Sequence, residues 1–182
     1  TAMKFVDIAG LVKGASEGEG LGNQFLGHIR QVSAIIHVVR CFENADVIHV
    51  DNHVNPISDI ETIETELCLA DIDVVEKARQ KAEKQMRSQG KDPSVLDAWQ
   101  EIMDCLSKQA FLREDTLSEQ AWSLCQTHQL LMAKPMFYLA NCNEDRQGDA
   151  VEQLESYAKK KGADVVRVCS QIEAEIAQLD PE

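Results

Sequence analysis

Four short runs of apolar residues along the chain predict β-strands. They lie at Lys4–Ala9, Ala34–Arg40, Met136–Ala140 and Val165–Cys169. The run Ala34–Arg40 is apolar at nearly every position instead of at alternate positions. Strands that are buried on both faces of a parallel sheet have this kind of sequence. The chain is therefore expected to form a parallel sheet.

Other segments place apolar residues at three- and four-residue steps, which predicts amphipathic helices. One such segment, Asn23–Gln31, lies between the first two predicted strands, and another, Asp149–Lys161, lies between the last two. Three lysines and then Gly162 close the second of these helices, and both features are typical of a helix C-terminus. The alternation of strands and helices predicts an α/β fold.

The middle of the chain has helical periodicity. A long helix is predicted at Asp59–Arg87, and a second begins after Asp92-Pro93, which supply an N-cap and a first-turn proline. Thr116-x-x-Glu119 is a candidate capping box for a third helix, which is expected to carry Leu131 on its apolar face. These helices predict a helical hairpin, or a short antiparallel coiled coil, inserted into the α/β domain. The predicted division is 1–58 and 134–182 for the α/β domain and 59–133 for the insert.

Composition and charge narrow the class of protein. The 182 residues carry a net charge of −13, which disfavours direct DNA binding as the main function, because such binding usually needs a basic surface. The basic strip Lys77–Arg87 is interpreted as a solvated helix face. Six cysteines without CxxC spacing lie in or beside apolar runs, which indicates core residues in a reducing compartment. With no signal peptide and no apolar run of membrane-spanning length, the prediction is a cytoplasmic protein without membrane contact.

The pattern Asp7-Ile8-Ala9-Gly10 spans the end of the first predicted strand, and the segment from Gly10 to Gly22 is a glycine-rich predicted loop. In nucleoside-triphosphate switches an aspartate at this place holds Mg²⁺ through water, and the glycine donates its N–H to the γ-phosphate. Asp7 and Gly10 are therefore candidates for these two roles. A four-residue motif with two fixed positions also recurs by chance, so it needs structural context.

Two more strands end in polar residues. Asn141-Cys142-Asn143-Glu144 follows the third predicted strand, and Cys169-Ser170 closes the last one. The pattern Asn-x-x-Glu resembles the base-specificity motif of GTPases, Asn-Lys-x-Asp, with a longer carboxylate and without the lysine. On its own the pattern also fits a solvated turn. Ligands of parallel α/β sheets bind at the carboxyl ends of strands, where all three motifs are expected.

Several stretches resemble the YchF / Obg-like ATPase family, a group of translation-associated P-loop NTPases. They are "FVDIAGLVKGASEGEGLGNQFLGHIR", "HVVRCFEN", "TELCLADID", "NCNED" and "EAEIAQLD". The resemblance implies a P-loop NTPase (G-domain) sheet with an inserted helical hairpin. It also implies ATP as the preferred nucleotide with GTP weaker, Mg²⁺ as cofactor, and the ribosome or a ribosomal subunit as partner.

The resemblance implies a role for each matching residue. Asp7 would bind Mg²⁺ through water, Gly10 would bind the γ-phosphate, and the base would lie among Asn141, Cys142, Glu144, Cys169 and Ser170. The family has a hydrophobic residue after Asp-x-x-Gly, here Leu11, and a histidine elsewhere that acts on the attacking water. By alignment this histidine is His49, and a neutral imidazole suits that role near pH 7. The alternative for His49 is a structural hydrogen bond at a strand end.

The sequence also departs from the family pattern. It contains no P-loop motif G-x-x-x-x-G-K-[ST], and the family's C-terminal TGS domain would lie beyond Glu182. The expectation is therefore the central portion of such an ATPase, with strand edges that lack neighbours and weak or no ATP hydrolysis by this chain alone. The alternative is a truncated, non-enzymatic relative that binds protein partners through its helical hairpin.

Overall fold

A computed structural model describes residues 2–8, 21–43, 55–89, 93–145 and 147–179. These described residues form three strands, six α-helices and one 3₁₀ helix, η1. The strands are β1 (Ile35–Arg40), β2 (Met136–Asn141) and β3 (Val165–Val168). The helices are α1 (Leu21–Gln31), α2 (Pro56–Gln89), α3 (Ser94–Leu106), α4 (Glu119–Thr127), η1 (Leu131–Ala133), α5 (Asp149–Lys161) and α6 (Ser170–Ile176).

The chain divides into two compact units. The helical unit contains residues 1–33 and 62–134, and the sheet unit contains residues 34–61 and 135–182. The predicted domain boundaries, 1–58, 59–133 and 134–182, stay a prediction. No helix in the described part of the chain has the length and apolar character needed to cross a membrane.

The sheet unit is a parallel sheet with strand order β1-β2-β3. Its core consists of small and aliphatic side chains around Tyr138 of β2, whose ring is fully buried. The ring packs edge-on against Tyr157 of α5, at 6.3 Å between ring centroids. Gly162 ends α5 with φ of 63°, a left-handed conformation that glycine adopts without steric cost. The predicted α/β fold and the prediction of a C′ glycine are both confirmed.

The helical unit contains the predicted hairpin, in which α2 and α3 run antiparallel. Cys68, in the first half of α2, donates its thiol hydrogen to the carbonyl of Leu106 at the end of α3, at 3.1 Å. Arg79, further along α2, donates to the side chain of Gln100 in the middle of α3, at 3.0 Å. As the position in α2 increases, the position in α3 decreases, which is the antiparallel order.

The start of α4 differs from the prediction. Ser118, not Thr116, is the N-cap, and its hydroxyl accepts from the N–H of Ala121 at 3.3 Å. Glu101 of α3 explains the choice, because its carboxylate accepts from the backbone N–H of Ser118 at 2.8 Å and from the hydroxyl. Thr116 instead donates to a carbonyl in the preceding turn. A contact from another helix therefore overrides the local motif, and Leu131 lies in η1 instead of α4.

The predicted first strand is wrong over its described residues. Residues 2–8 have no regular secondary structure, and Phe5 and Val6 are exposed. A strand needs a hydrogen-bonded neighbour, and none of the described strands pairs with this segment. The predicted loop also ends earlier than expected, because α1 begins at Leu21, and most of that loop lies outside the described residues, as does Asp92.

Candidate functional site

The carboxyl ends of the three strands meet at one edge of the sheet. Arg40 pairs with Asn141, and Asn141 pairs with Val168, so the strands end in register. The ladder continues by one residue, because the N–H of Cys41 donates to Asn141 at 2.8 Å and the N–H of Cys142 donates to Val168 at 2.9 Å. The edge thus has regular backbone geometry up to the point where the polar motifs begin.

Two of the predicted base-binding segments contact each other at this edge. The side-chain oxygen of Asn141 accepts from the backbone N–H of Ser170, at 3.2 Å. This bond joins the end of β2 to the first residue of α6 and brings Asn141, Cys142, Cys169 and Ser170 together. Glu144 lies in the exposed turn that follows β2, two residues beyond Cys142. The turn leaves its carboxylate open to solvent, where it can face a ligand.

Each strand is followed directly by a buried cysteine: Cys41, Cys142 and Cys169. Burial, together with the neighbouring Cys142, raises the pKa of Cys41 to about 11. The Cys142 thiol donates to the carbonyl of Val168 at 3.4 Å. A buried thiol is a poor nucleophile and metal ligand, so these residues act as small side chains that let the backbone approach closely.

The six cysteines of the chain all lie in described segments, and all six are free thiols. Five are buried, and Cys105 is partly buried. The described residues contain no group of three or more His, Cys, Asp or Glu side chains that could hold a metal ion. The prediction that the cysteines are core residues is confirmed for the five buried ones. Sequence reasoning missed Cys41, although its position directly after a strand is the same signal that marks Cys142 and Cys169.

The predicted phosphate and metal residues are only partly described. Gly10 and His49 lie outside the described residues. Asp7 lies in the irregular segment 2–8, and its side chain is exposed. Mg²⁺ is commonly held by one or two protein carboxylates, with waters and substrate phosphates as its other ligands. The accessible carboxylate of Asp7 has the chemistry of one such ligand.

Parallel strands with helices, and polar residues at the carboxyl edge of the sheet, form an α/β arrangement of the kind found in P-loop NTPases. The family described as "50S ribosome-binding GTPase" matches residues 1–75. "Ribosome-binding ATPase YchF" of Pasteurella multocida is 45% identical over 185 residues, which cover 100% of this chain and 51% of that protein. The protein of the same name from Bacillus subtilis is 43% identical over 188 residues, again covering 100% of this chain and 51% of that protein.

A solved structure is also similar to this chain. "Structure of the Schizosaccharomyces pombe YchF GTPase" matches with a TM-score of 0.79 and 29% identity, over 95% of this chain and 49% of that chain. Over its whole length the chain is homologous to the proteins named YchF. It spans about half the length of the curated relatives that it matches.

Proposed function

We propose that the natural protein that carries this chain is a nucleotide-dependent switch that binds the ribosome and hydrolyses ATP in preference to GTP. The observation that carries the proposal is the bond between Asn141 and Ser170, which assembles a polar site at the carboxyl edge of a parallel sheet. The names of the relatives support ribosome binding and ATP hydrolysis. The cytoplasmic location stays a prediction.

The base is proposed to lie among Asn141, Cys142, Glu144, Cys169 and Ser170. Asn141 supplies an amide, and the backbone around the two cysteines offers hydrogen-bond partners without bulky side chains. Glu144 stands where a guanine-specific site has a shorter aspartate, and bidentate recognition of guanine tolerates little displacement of the carboxylate. The longer side chain therefore supports a preference for adenine.

The phosphate end is proposed to use three other residues. Asp7 would hold Mg²⁺ through water, and Gly10 would donate its N–H to the γ-phosphate. When bound, Mg²⁺ neutralises charge that develops on the phosphate oxygens. His49 would orient or deprotonate the attacking water. His49→Ala is then expected to slow hydrolysis of ATP while leaving its affinity unchanged.

Equilibrium binding of labelled ATP and GTP to the natural protein, with Mg²⁺ present, tests the proposed base site. Asn141→Ala is expected to weaken ATP binding about tenfold or more, since a lost hydrogen bond to a buried group costs roughly 1–3 kcal/mol. Asn143→Ala is the matched control, because this neighbouring asparagine is exposed. Glu144→Asp is expected to shift the ratio of affinities toward GTP. Equal effects of the two asparagine variants would contradict the site.

Cosedimentation with ribosomes tests the proposed partner. The fraction of protein that sediments is expected to differ between ATP and ADP, because a switch must bind its partner differently in its two states. Suppose instead that neither nucleotide binds at millimolar concentration. The ATPase proposal then fails, and a non-enzymatic role of the helical hairpin in binding protein partners takes its place.

A further inference from the structure

The last turn of α1 is fastened to the rest of the helical unit by a network of charged side chains. Arg30 donates from Nη1 to the carboxylate of Asp71 at 3.2 Å and to the carbonyl of Gln129 at 3.1 Å. Its Nη2 donates to the carbonyl of Ala70, also at 3.2 Å. One guanidinium thus holds α1 against α2 and against the chain segment after α4.

Lys134 also holds the end of α1. Its ammonium group donates to the carbonyls of Arg30 at 3.0 Å and Val32 at 2.7 Å, where α1 ends. These carbonyls lack helical partners because the helix stops there. Lys134 directly follows η1. The chain segment around η1 therefore donates hydrogen bonds to the end of α1 and also accepts one from it.

Asp71 is the centre of the network. Its side chain is fully buried, and besides Arg30 it accepts from the backbone N–H groups of Leu131 at 2.9 Å and Met132 at 2.8 Å. No side chain within η1 caps its N-terminus. The carboxylate on α2 therefore does the capping, and it ties α1 and η1 to one point.

The backbone beside this point is strained. Gln129, whose carbonyl accepts from Arg30, has φ of 51°, a conformation that residues other than glycine rarely adopt. Helices commonly end in this conformation, and here the N–H of Leu130 donates to the carbonyl of Cys125 across the end of α4. An ion pair with a fully buried carboxylate is a poor source of stability compared with apolar packing, and in some proteins such a pair specifies one geometry. The pair of Arg30 and Asp71 thus fits an element that sets position.

We propose that Arg30 and Asp71 are positioning residues that couple the phosphate end of the proposed nucleotide site, at Asp7 and Gly10, to α2 and η1 through α1. The inference rests on the proposed function, because α1 is the first described helix after Asp7 and Gly10 in the chain. A helix is stiff, so a change at its N-terminal end is carried to its last turn. There the network passes the change to η1 and the end of α4, and coupling of this kind acts in both directions.

Hydrogen exchange at the N–H groups of Leu131 and Met132, in the natural protein with and without a non-hydrolysable ATP analogue and Mg²⁺, tests this coupling. The wild-type protein is expected to change its exchange rates at these two amides severalfold when the analogue binds. Arg30→Gln is expected to bind the analogue within about twofold of wild type and to lose the change. Arg79→Gln is the matched control, because Arg79 pairs with Glu83 and Gln100 within the α2–α3 hairpin, and it should keep the change.

Arg30→Lys separates positioning from folding. Lysine keeps the positive charge beside Asp71 but lacks the planar fork that reaches two carbonyls at once, so an intermediate response is expected. This variant also decides the matter if Arg30→Gln does not fold. A full response in a folded Arg30→Gln or an unaltered response in Arg30→Lys would overturn the coupling. So would a wild-type protein that binds the analogue without any change at the two amides. Absence of analogue binding by wild type would overturn the proposed function and the coupling with it.

Discussion

Replacing Asp71 with alanine tests how much one buried carboxylate contributes to the helical unit. The side chain is fully buried and accepts from Arg30, Leu131 and Met132. Alanine removes both oxygens, so the N–H groups of Leu131 and Met132 lose their acceptors in the interior. Arg30 keeps two carbonyl partners and partial access to water, with 21% of its side chain exposed.

The expected destabilisation is about 2–4 kcal/mol. Each unsatisfied buried N–H costs about 1–3 kcal/mol, which sets the larger part. Two effects reduce the sum. Burial raises the pKa of Asp71, and the two backbone N–H groups and Arg30 offset this only in part, so removing the carboxylate also removes a desolvation cost. In addition, the guanidinium of Arg30 can form hydrogen bonds to water in place of the lost carboxylate. The free-energy cost of the two unsatisfied N–H groups is still larger than these two gains.

Urea unfolding followed by tryptophan fluorescence measures this directly, since both tryptophans of the chain, Trp99 and Trp122, lie in the helical unit. Asp73→Ala is the matched control on the same helix. Its partner is Lys77, and both side chains are mostly exposed, so a loss of at most about 0.5 kcal/mol is expected. Equal losses for the two variants, or a gain in stability for Asp71→Ala, would refute the reasoning.

Three further predictions concern titration, thiol reactivity and backbone strain. Burial, and then the charge of Lys81, lowers the pKa of His128 below 6.5. As the pH drops below about 6.5, the unfolded chain binds this proton before the folded chain does, so the free energy of unfolding decreases. Urea unfolding followed by circular dichroism at about pH 7.5 and 5.5 should show a smaller decrease for His128→Gln than for the wild-type protein. Burial raises the pKa of Cys41 to about 11 and that of Cys125 to about 12. Alkylation of these two thiols by iodoacetamide at about pH 8, followed by mass spectrometry, should therefore be roughly tenfold slower or more in the folded chain than in the urea-unfolded chain. Comparable rates in the two states would contradict this burial. Gln129→Gly should raise the urea midpoint, by up to about 1 kcal/mol in stability, because glycine relieves the positive φ; a lower midpoint would show that no strain is stored there.

Periodicity in the sequence predicts the regular elements well where local pattern and packing agree. The prediction of α5 at Asp149–Lys161 matches its observed bounds, and β1 begins one residue later than predicted. The polar motifs at the carboxyl ends of β2 and β3 could also be placed at one edge of the sheet, because strands in an α/β pattern are parallel. That both segments border one site was implied only by the resemblance, and the bond between Asn141 and Ser170 was not predicted.

The failures have one physical cause, which is dependence on a distant partner. The apolar segment at Phe5 forms no strand without a paired neighbour among the described residues, and Ser118 replaces Thr116 as N-cap because Glu101 fixes its N–H. Asp71 was not noticed, although it follows Leu67 at helical spacing on a buried face. An ionisable residue at a core position of a helix was the available signal for the network.

Photocrosslinking with an azido-adenine form of ATP tests the central claim most directly. The natural protein would be irradiated with the reagent and Mg²⁺, and the labelled peptides identified by mass spectrometry. The account predicts label within 141–145 or at Cys169 and Ser170, suppressed by excess ATP and less by excess GTP. Label that ATP suppresses but that lies only in the helices α3 and α4, or no ATP-sensitive label at all, would contradict it.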